Sequence, residues 1–281
     1  MKLAFSTNAF TRHNLNFALK EIAEAGYAGV EILADKPHWY PSKFQKSVAD
    51  GVRKTLEKLN LRVSNINANC TFGYWHDAPP EPFFEPSLIS PSPRLRKKRI
   101  QMIENTLKFA HAVGAENISI TSGKALPTMP PDAAAKQLRE SLMPVLEMAE
   151  KVGIRVGFEC EPGLFVEWAT ELRELIDRMG SKLLGANLDL GHSVVLGEDL
   201  AATIKLLGDR IWNCHIEDIP GRKHYHLIPG QGTMDWRGIK SALERIGYER
   251  FLTVELYSYP DRPVEAARAS IEFLRMIFGG R

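Results

Sequence analysis

The sequence predicts a single (β/α)8 barrel, and three observations predict it. Eight short apolar runs alternate with eight segments of helical period. Four of those runs end on an acid or an imidazole: Glu159, Asp189, His215 and Glu255, spaced by 30, 26 and 40 residues, about one strand-plus-helix unit each. The chain has 281 residues, a length that suits one α/β barrel as one domain, 1–281.

The elements follow in order. The first run, 2–8, precedes LNFALKEIAEAG, whose apolar residues recur at three- and four-residue spacing and which closes on glycine. The run 29–33 precedes SVADGVRKTLEKLN, and 62–67 precedes IQMIENTLKFAHAVG after a long interruption. The run 117–121 leads to AAAKQLRESLMPVLEMAEKVG, 154–159 to ATELRELIDRMG and 184–189 to DLAATIKLLG. The last two runs, 211–217 and 251–256, are followed by WRGIKSALERIG and VEAARASIEFLRMIFG. Short apolar runs of this kind read as parallel strands buried on both faces. A doubly wound sheet would bring a glycine-rich turn after the first strand, and STNAFTRHN contains no glycine.

The interruption, residues 70–93 (CTFGYWHDAPPEPFFEPSLISPSP), is proline-rich and aromatic. Lying after the third strand, it is expected to form a lid in which Phe72, Tyr74, Trp75 and His76 wall a pocket, the plainer alternative being a loop packed on itself. The basic cluster Arg94, Arg96, Lys97, Lys98 and Arg99 reads as a solvated helix start. With a net charge of +2 and interspersed signs, no nucleic-acid or membrane partner is expected. Three cysteines without CxxC spacing point to a reducing compartment, and no signal segment or membrane-length apolar run is present, so a cytoplasmic protein is expected. Strand alternation turns Cys160 and Cys214, neighbours of Glu159 and His215, toward the helices.

Two Glu, one Asp and one His at neighbouring strand ends form a ligand set for one divalent ion, Mn²⁺ first, with Mg²⁺, Co²⁺ or Zn²⁺ also compatible. Three carboxylates exceed the charge of such an ion, which points to a neutral diol or hydroxy-ketone as substrate. Asn8 and Asn67, at the ends of the first and third strands, suit sugar hydroxyls, as does Asn65, and Glu31 ends the second strand. Glu161 and Glu217, two positions from Glu159 and His215, point to the same side and are candidate supports or hydroxyl binders.

GFECEP (157–162), NLDLGHS (187–193), NCHIEDIPGRKHYHLIPGQGTMDW (213–236) and TVELY (253–257) together resemble the xylose-isomerase-like barrels over nearly the whole chain. That family includes ketose 3-epimerases, hydroxypyruvate isomerases, inosose and dehydroshikimate dehydratases and endonuclease IV. The resemblance implies metal ligation by Glu159, Asp189, His215 and Glu255, with Glu159 and Glu255 as the acid/base pair of an isomerase or epimerase acting through an enediolate. It also implies substrate contacts from His192, Arg222 and His226, and Asp218 fits its pattern after the metal-binding histidine.

The alternatives are a dehydratase on the same centre, using His192 or His226 as the acid at the leaving hydroxyl, and a barrel that binds a sugar without turnover. An apurinic-site nuclease is disfavoured, because the second and third strands lack the histidines that extra zinc ions would need. The partner is a small sugar or a sugar phosphate, for which Lys124 and Arg222 are the basic candidates. A homo-oligomer formed through exposed helices is compatible with the sequence.

Overall fold

The computed structural model describes residues 1–69, 71–77 and 84–279. Its eight strands are β1 (Lys2–Ser6), β2 (Gly29–Leu33), β3 (Arg62–Asn67), β4 (Asn117–Ile120), β5 (Arg155–Phe158), β6 (Leu184–Asp189), β7 (Ile211–Ile216) and β8 (Phe251–Val254). All neighbours pair in parallel, and β1 pairs β8 through Lys2–Phe251 and Phe5–Val254, so the sheet closes into the expected barrel. Five strands stop one or two residues short of the predicted ends, so Asn8, Glu159, Glu217 and Glu255 stand just beyond their strands at the mouth.

The helices among the described residues are α1 (Leu15–Ala25), α2 (Lys46–Leu59), α3 (Pro93–Val113), α4 (Pro131–Val152), α5 (Ala169–Met179), α6 (Leu190–Leu196), α7 (Leu200–Leu207), α8 (Trp236–Arg245) and α9 (Pro263–Phe278). Local chemistry sets their ends. Asn14, Asp199 and Asp235 cap α1, α7 and α8 by accepting the N–H three residues on. The one helix absent from the sequence reading, α6, has seven residues, too few to show a period. It starts because Asp189 Oδ1 accepts the His192 N–H at 2.8 Å, so one carboxylate both ends β6 and caps the next helix. None of the helices is long and apolar enough to cross a membrane among the described residues.

One large apolar cluster fills the space between the sheet and the helices. Cys214 is buried in it beside Tyr248, and Cys160 Sγ meets the Trp168 carbonyl at 3.4 Å, so both thiols face the helix layer as alternation requires. The barrel interior is instead polar, lined by Asn65, Asn67, Asn117, Asn187, Asn213, Ser64 and Thr253, all buried.

The basic cluster at the start of α3 departs from expectation at one residue. Arg99 is buried, and its guanidinium donates to the carbonyls of Ala68 and Asn69, the latter at 3.2 Å. The side chain reaches inward because β3 ends there with backbone carbonyls that no neighbouring strand takes up, and a guanidinium supplies several donors at once. Arg99→Met is therefore expected to lower unfolding free energy by about 2–3 kcal/mol. Urea denaturation monitored by circular dichroism measures this, and a loss below about 0.5 kcal/mol contradicts it.

Candidate metal centre

Four ionisable side chains meet at the carboxyl ends of the last four strands. Glu159 follows β5, Asp189 ends β6, His215 lies in β7 and Glu255 follows β8. The register pairs Asp189 with His215, which sets these two at one level. All four are buried, and each offers one ligand atom within 4.8 Å of the other three. His215 Nδ1 lies 3.2 Å from Glu159 Oε2, 3.7 Å from Glu255 Oε1 and 3.9 Å from Asp189 Oδ2. Asp189 Oδ2 is buried with no hydrogen-bond partner among the described residues. An ionised oxygen left so is costly unless a cation takes it, so the donor set fits one divalent ion.

A second layer aims these four side chains. Glu31, in the middle of β2, holds His215 Nε2 at 2.6 Å, which turns Nδ1 to the carboxylates. Burial opposes both charges, yet their attraction outweighs it: the Glu31 carboxyl is held below its usual range and the His215 imidazole well above. Asn65 and Asn67 donate to the two Glu31 oxygens at 2.7 and 3.1 Å. Asn67 and Asn8 also donate to Glu255 Oε1, at 2.9 and 3.0 Å. Glu159 Oε2 accepts from Asn69 at 2.8 Å and from Asn187. Burial first, then the carboxylates of Glu159 and Glu31, push Glu255 up to about 8 against the pull of His215.

Above the four lies a cavity of about 310 Å³. Of the residues predicted to meet substrate, Asn8, Asn67, Glu161, His192 and His226 line it, together with Phe72 and the ligands Glu159 and Glu255. Each of the two asparagines gives one amide N–H to Glu255, so they position that carboxylate as well as border the cavity.

His192 Nδ1 meets the Cys160 carbonyl at 2.9 Å, and Nε2 lies 3.6 Å from Glu161 and 3.7 Å from Asp189. Burial alone would lower its pKa, but Asp189 and then Glu161 raise it to about 9. Burial raises Glu161 to about 7, with Glu159 and Asp189 adding to it. His226 goes the other way, to about 3, chiefly through burial. Its Nδ1 lies 3.0 Å from the Glu255 carbonyl and its Nε2 lies 3.2 Å from His224 Nε2.

Three predicted substrate contacts do not reach the cavity. Arg222 lies across the end of α6, donating to the carbonyls of Val195 and Leu196 at 3.2 and 2.6 Å, because a helix C-terminus offers acceptors and partial negative charge. Trp75 is more than one-third exposed, and its indole N–H is given to the Glu85 carbonyl. Glu217 is fully buried behind Asp189, in space that exists because residue 191 is glycine. No donor meets its oxygens among the described residues, and burial together with Asp189 raises its pKa well above the carboxylate range.

Within residues 70–93, Phe72 and Phe84 face the cavity, whereas the His76 side chain is 97% exposed. Residues 70 and 78–83 lie outside the described residues, so the lid expectation applies to part of the segment only. Asp218 faces away from the centre. It receives the N–H groups of Gly230 and Met234 and the Trp236 indole, and so folds the loop that carries His226.

Residues the sequence reading passed over include Asn69, Phe84, His224 and Tyr257, all on the cavity wall, and the aiming roles of Glu31 and Asn187. A carboxylate inside the five-residue strand GVEIL was the available signal for Glu31, since such a group is buried only with a partner. Asn69 follows Asn67 by two, and His224 precedes His226 by two, the period that repeats a face.

The family model described as xylose isomerase-like TIM barrel matches residues 19–277. Fructoselysine 3-epimerase of Escherichia coli O157:H7 is 24% identical over 282 residues, covering 99% of this chain and 98% of the relative. Inosose dehydratase of Clostridium perfringens strain 13 is 23% identical over 276 residues, covering 92% of this chain and 88% of the relative. A crystal structure of the IOLI protein with a bound zinc atom superposes with a TM-score of 0.78 at 19% identity, over 99% of this chain and 98% of that one.

If Glu31 sets which nitrogen of His215 faces the carboxylates, Glu31→Gln should weaken Mn²⁺ binding by roughly 10- to 100-fold without unfolding the barrel. Calorimetric titration with Mn²⁺ measures this, and an unchanged affinity contradicts the role.

Proposed function

The chain belongs to the xylose isomerase-like TIM-barrel family, and from that premise we propose that it is a divalent-metal-dependent epimerase or isomerase of a small, unphosphorylated ketose or keto-polyol. The observation that carries the reading is the convergence of Glu159 and Glu255, from strands three apart, on one buried point shared with Asp189 and His215. A sugar-binding barrel without turnover would have no use for two glutamates in contact with the reacting end.

Glu159, Asp189, His215 and Glu255 would hold the ion, Mn²⁺ by preference. When bound, it polarises the substrate carbonyl and offsets the negative charge of an enediolate. The chain's own groups then move the proton. Glu159 Oε2 is committed to two amide donors, so proton uptake from the carbon beside the carbonyl falls to Oε1. Glu255, which starts this direction of turnover protonated, returns one to the other face. The roles exchange when the opposite epimer enters. Phe72, Phe84 and Tyr257 exclude water around the sugar, while Glu161 and His192 offer hydrogen bonds to its hydroxyls.

Charge supports an uncharged substrate. No lysine or arginine lines the cavity among the described residues, and residues 78–83 (APPEPF) contain none. Of the two basic candidates for a phosphate, Arg222 is engaged elsewhere and Lys124 is exposed outside the cavity.

One observation favours a second reading, dehydration. His192 is held protonated beside Glu161 and Asp189, as an acid at a departing hydroxyl must be, whereas His226 is held neutral and would not serve. The relatives include an inosose dehydratase.

The test incubates Mn²⁺-loaded protein in heavy water with a panel of unphosphorylated ketoses and inososes. Deuterium entry beside the carbonyl, slowed at least ~100-fold in Glu159→Gln and in Glu255→Gln, is the expected result. Loss of water with a new ultraviolet-absorbing enone selects dehydration instead. Sugar binding with neither exchange nor water loss contradicts both and leaves a binding barrel.

A further inference from the structure

The end of the barrel opposite the carboxylate centre holds a second cavity, of about 350 Å³. Strand starts build it: Lys2 opens β1, Arg62 opens β3, Asn117 opens β4 and Phe251 opens β8, with Trp212 and Arg250 beside them. Arg155, the first residue of β5, joins this group through Trp212 and Glu116. Lys2, Arg62, Arg155 and Arg250 are four cations, and Glu116 and Glu249 are two carboxylates, which leaves a surplus of two positive charges.

Glu116 answers three guanidiniums at once, Arg62 at 3.2 Å, Arg155 at 3.1 Å and Arg250 at 3.4 Å. Aromatic faces hold the like charges together: Arg155 and Arg250 lie over Trp212 at 4.9 and 5.2 Å, and Lys2 and Arg62 over Phe251 at 5.8 and 5.7 Å. An ion network serving stability alone gains little from unbalanced charge, since like charges repel. Converging guanidinium forks around a walled cavity are instead the arrangement that receives an oxyanion with paired hydrogen bonds.

We propose that the cavity at the foot of the barrel binds a small phosphate-type oxyanion, free or as part of a phosphorylated metabolite. It is a binding site rather than a second reaction site. Ser64, the hydroxyl that borders it, accepts the Thr253 hydroxyl at 3.0 Å, and no metal-ligand cluster lies there among the described residues. The ligand would sit below the amide ladder in which Asn117 donates to Asn65 at 2.8 Å and Asn65 to Glu31 at 2.7 Å, the carboxylate that holds His215.

Calorimetric titration of the whole protein with inorganic phosphate at low salt tests the site. Expected is one phosphate per chain, bound about tenfold or more weakly in Arg62→Gln and in Arg250→Gln, weakened by added salt and unaltered by Glu255→Gln at the other end. Lys2→Gln, at an exposed position, should weaken binding several-fold and decides the matter if either arginine variant fails to fold. Glucose 6-phosphate binding more tightly than phosphate identifies a metabolite as the ligand, and equal affinity identifies free phosphate. No saturable binding, or binding that Glu255→Gln removes and the foot variants leave intact, overturns the proposal.

Discussion

The hydrogen bond between Glu31 and His215, 2.6 Å long inside the barrel, fixes which imidazole nitrogen faces the carboxylates, and the remaining geometry of the mouth follows from it. A ring turned the other way would present a C–H to Glu159 and Asp189, and a ring protonated at Nδ1 an N–H, and neither offers a lone pair to a cation. The bond is made in a dry interior, where a partnered charge pair holds firmly and a lone charge is costly. The donors beside it are amides. Asn65 and Asn67 saturate Glu31, Asn69 and Asn187 saturate one oxygen of Glu159, and Asn8 and Asn67 share one oxygen of Glu255.

This layer explains why the barrel interior departs from the usual filling of branched aliphatic side chains. Packing carboxylates at strand ends requires donors beneath them, and neutral amides supply donors without adding charge. The same economy separates the two histidines above the centre. His192 sits among Asp189, Glu161 and Glu159 and is held charged, whereas His226, although Glu217 and Glu255 lie 4.0 and 3.8 Å away, is held neutral by burial first and by the charge of His192. Two residues of one type thus acquire opposite proton chemistry within ring-centroid contact of 5.9 Å.

The barrel and the meeting of Glu159, Asp189, His215 and Glu255 were legible because both obey short-range rules. Apolar runs followed by helical periods mark each unit, and an acid or imidazole at successive run ends marks the mouth. α6 was illegible because seven residues carry no period and its start depends on the Asp189 side chain. Arg222 and Trp75 were misplaced because loop residues are not governed by alternation; the first found helix-end carbonyls and the second a nearby carbonyl before either could reach the cavity. Arg99 looked solvated from its charged neighbours, although its place on the inner face of α3 puts it under the end of β3. Glu31 carried a signal, an acid within an apolar strand, but its partner lies 184 residues away and only closure of the barrel brings them together.

Everything proposed for the mouth rests on Glu159, Asp189, His215 and Glu255 forming one divalent-cation centre. Metal content of the purified protein, measured by elemental mass spectrometry beside an Asp189→Asn variant, tests it most directly. Expected is about one divalent ion per chain, lost in the variant while the fold persists. A chain that takes up no ion after reconstitution, or a variant that keeps its ion, would contradict it.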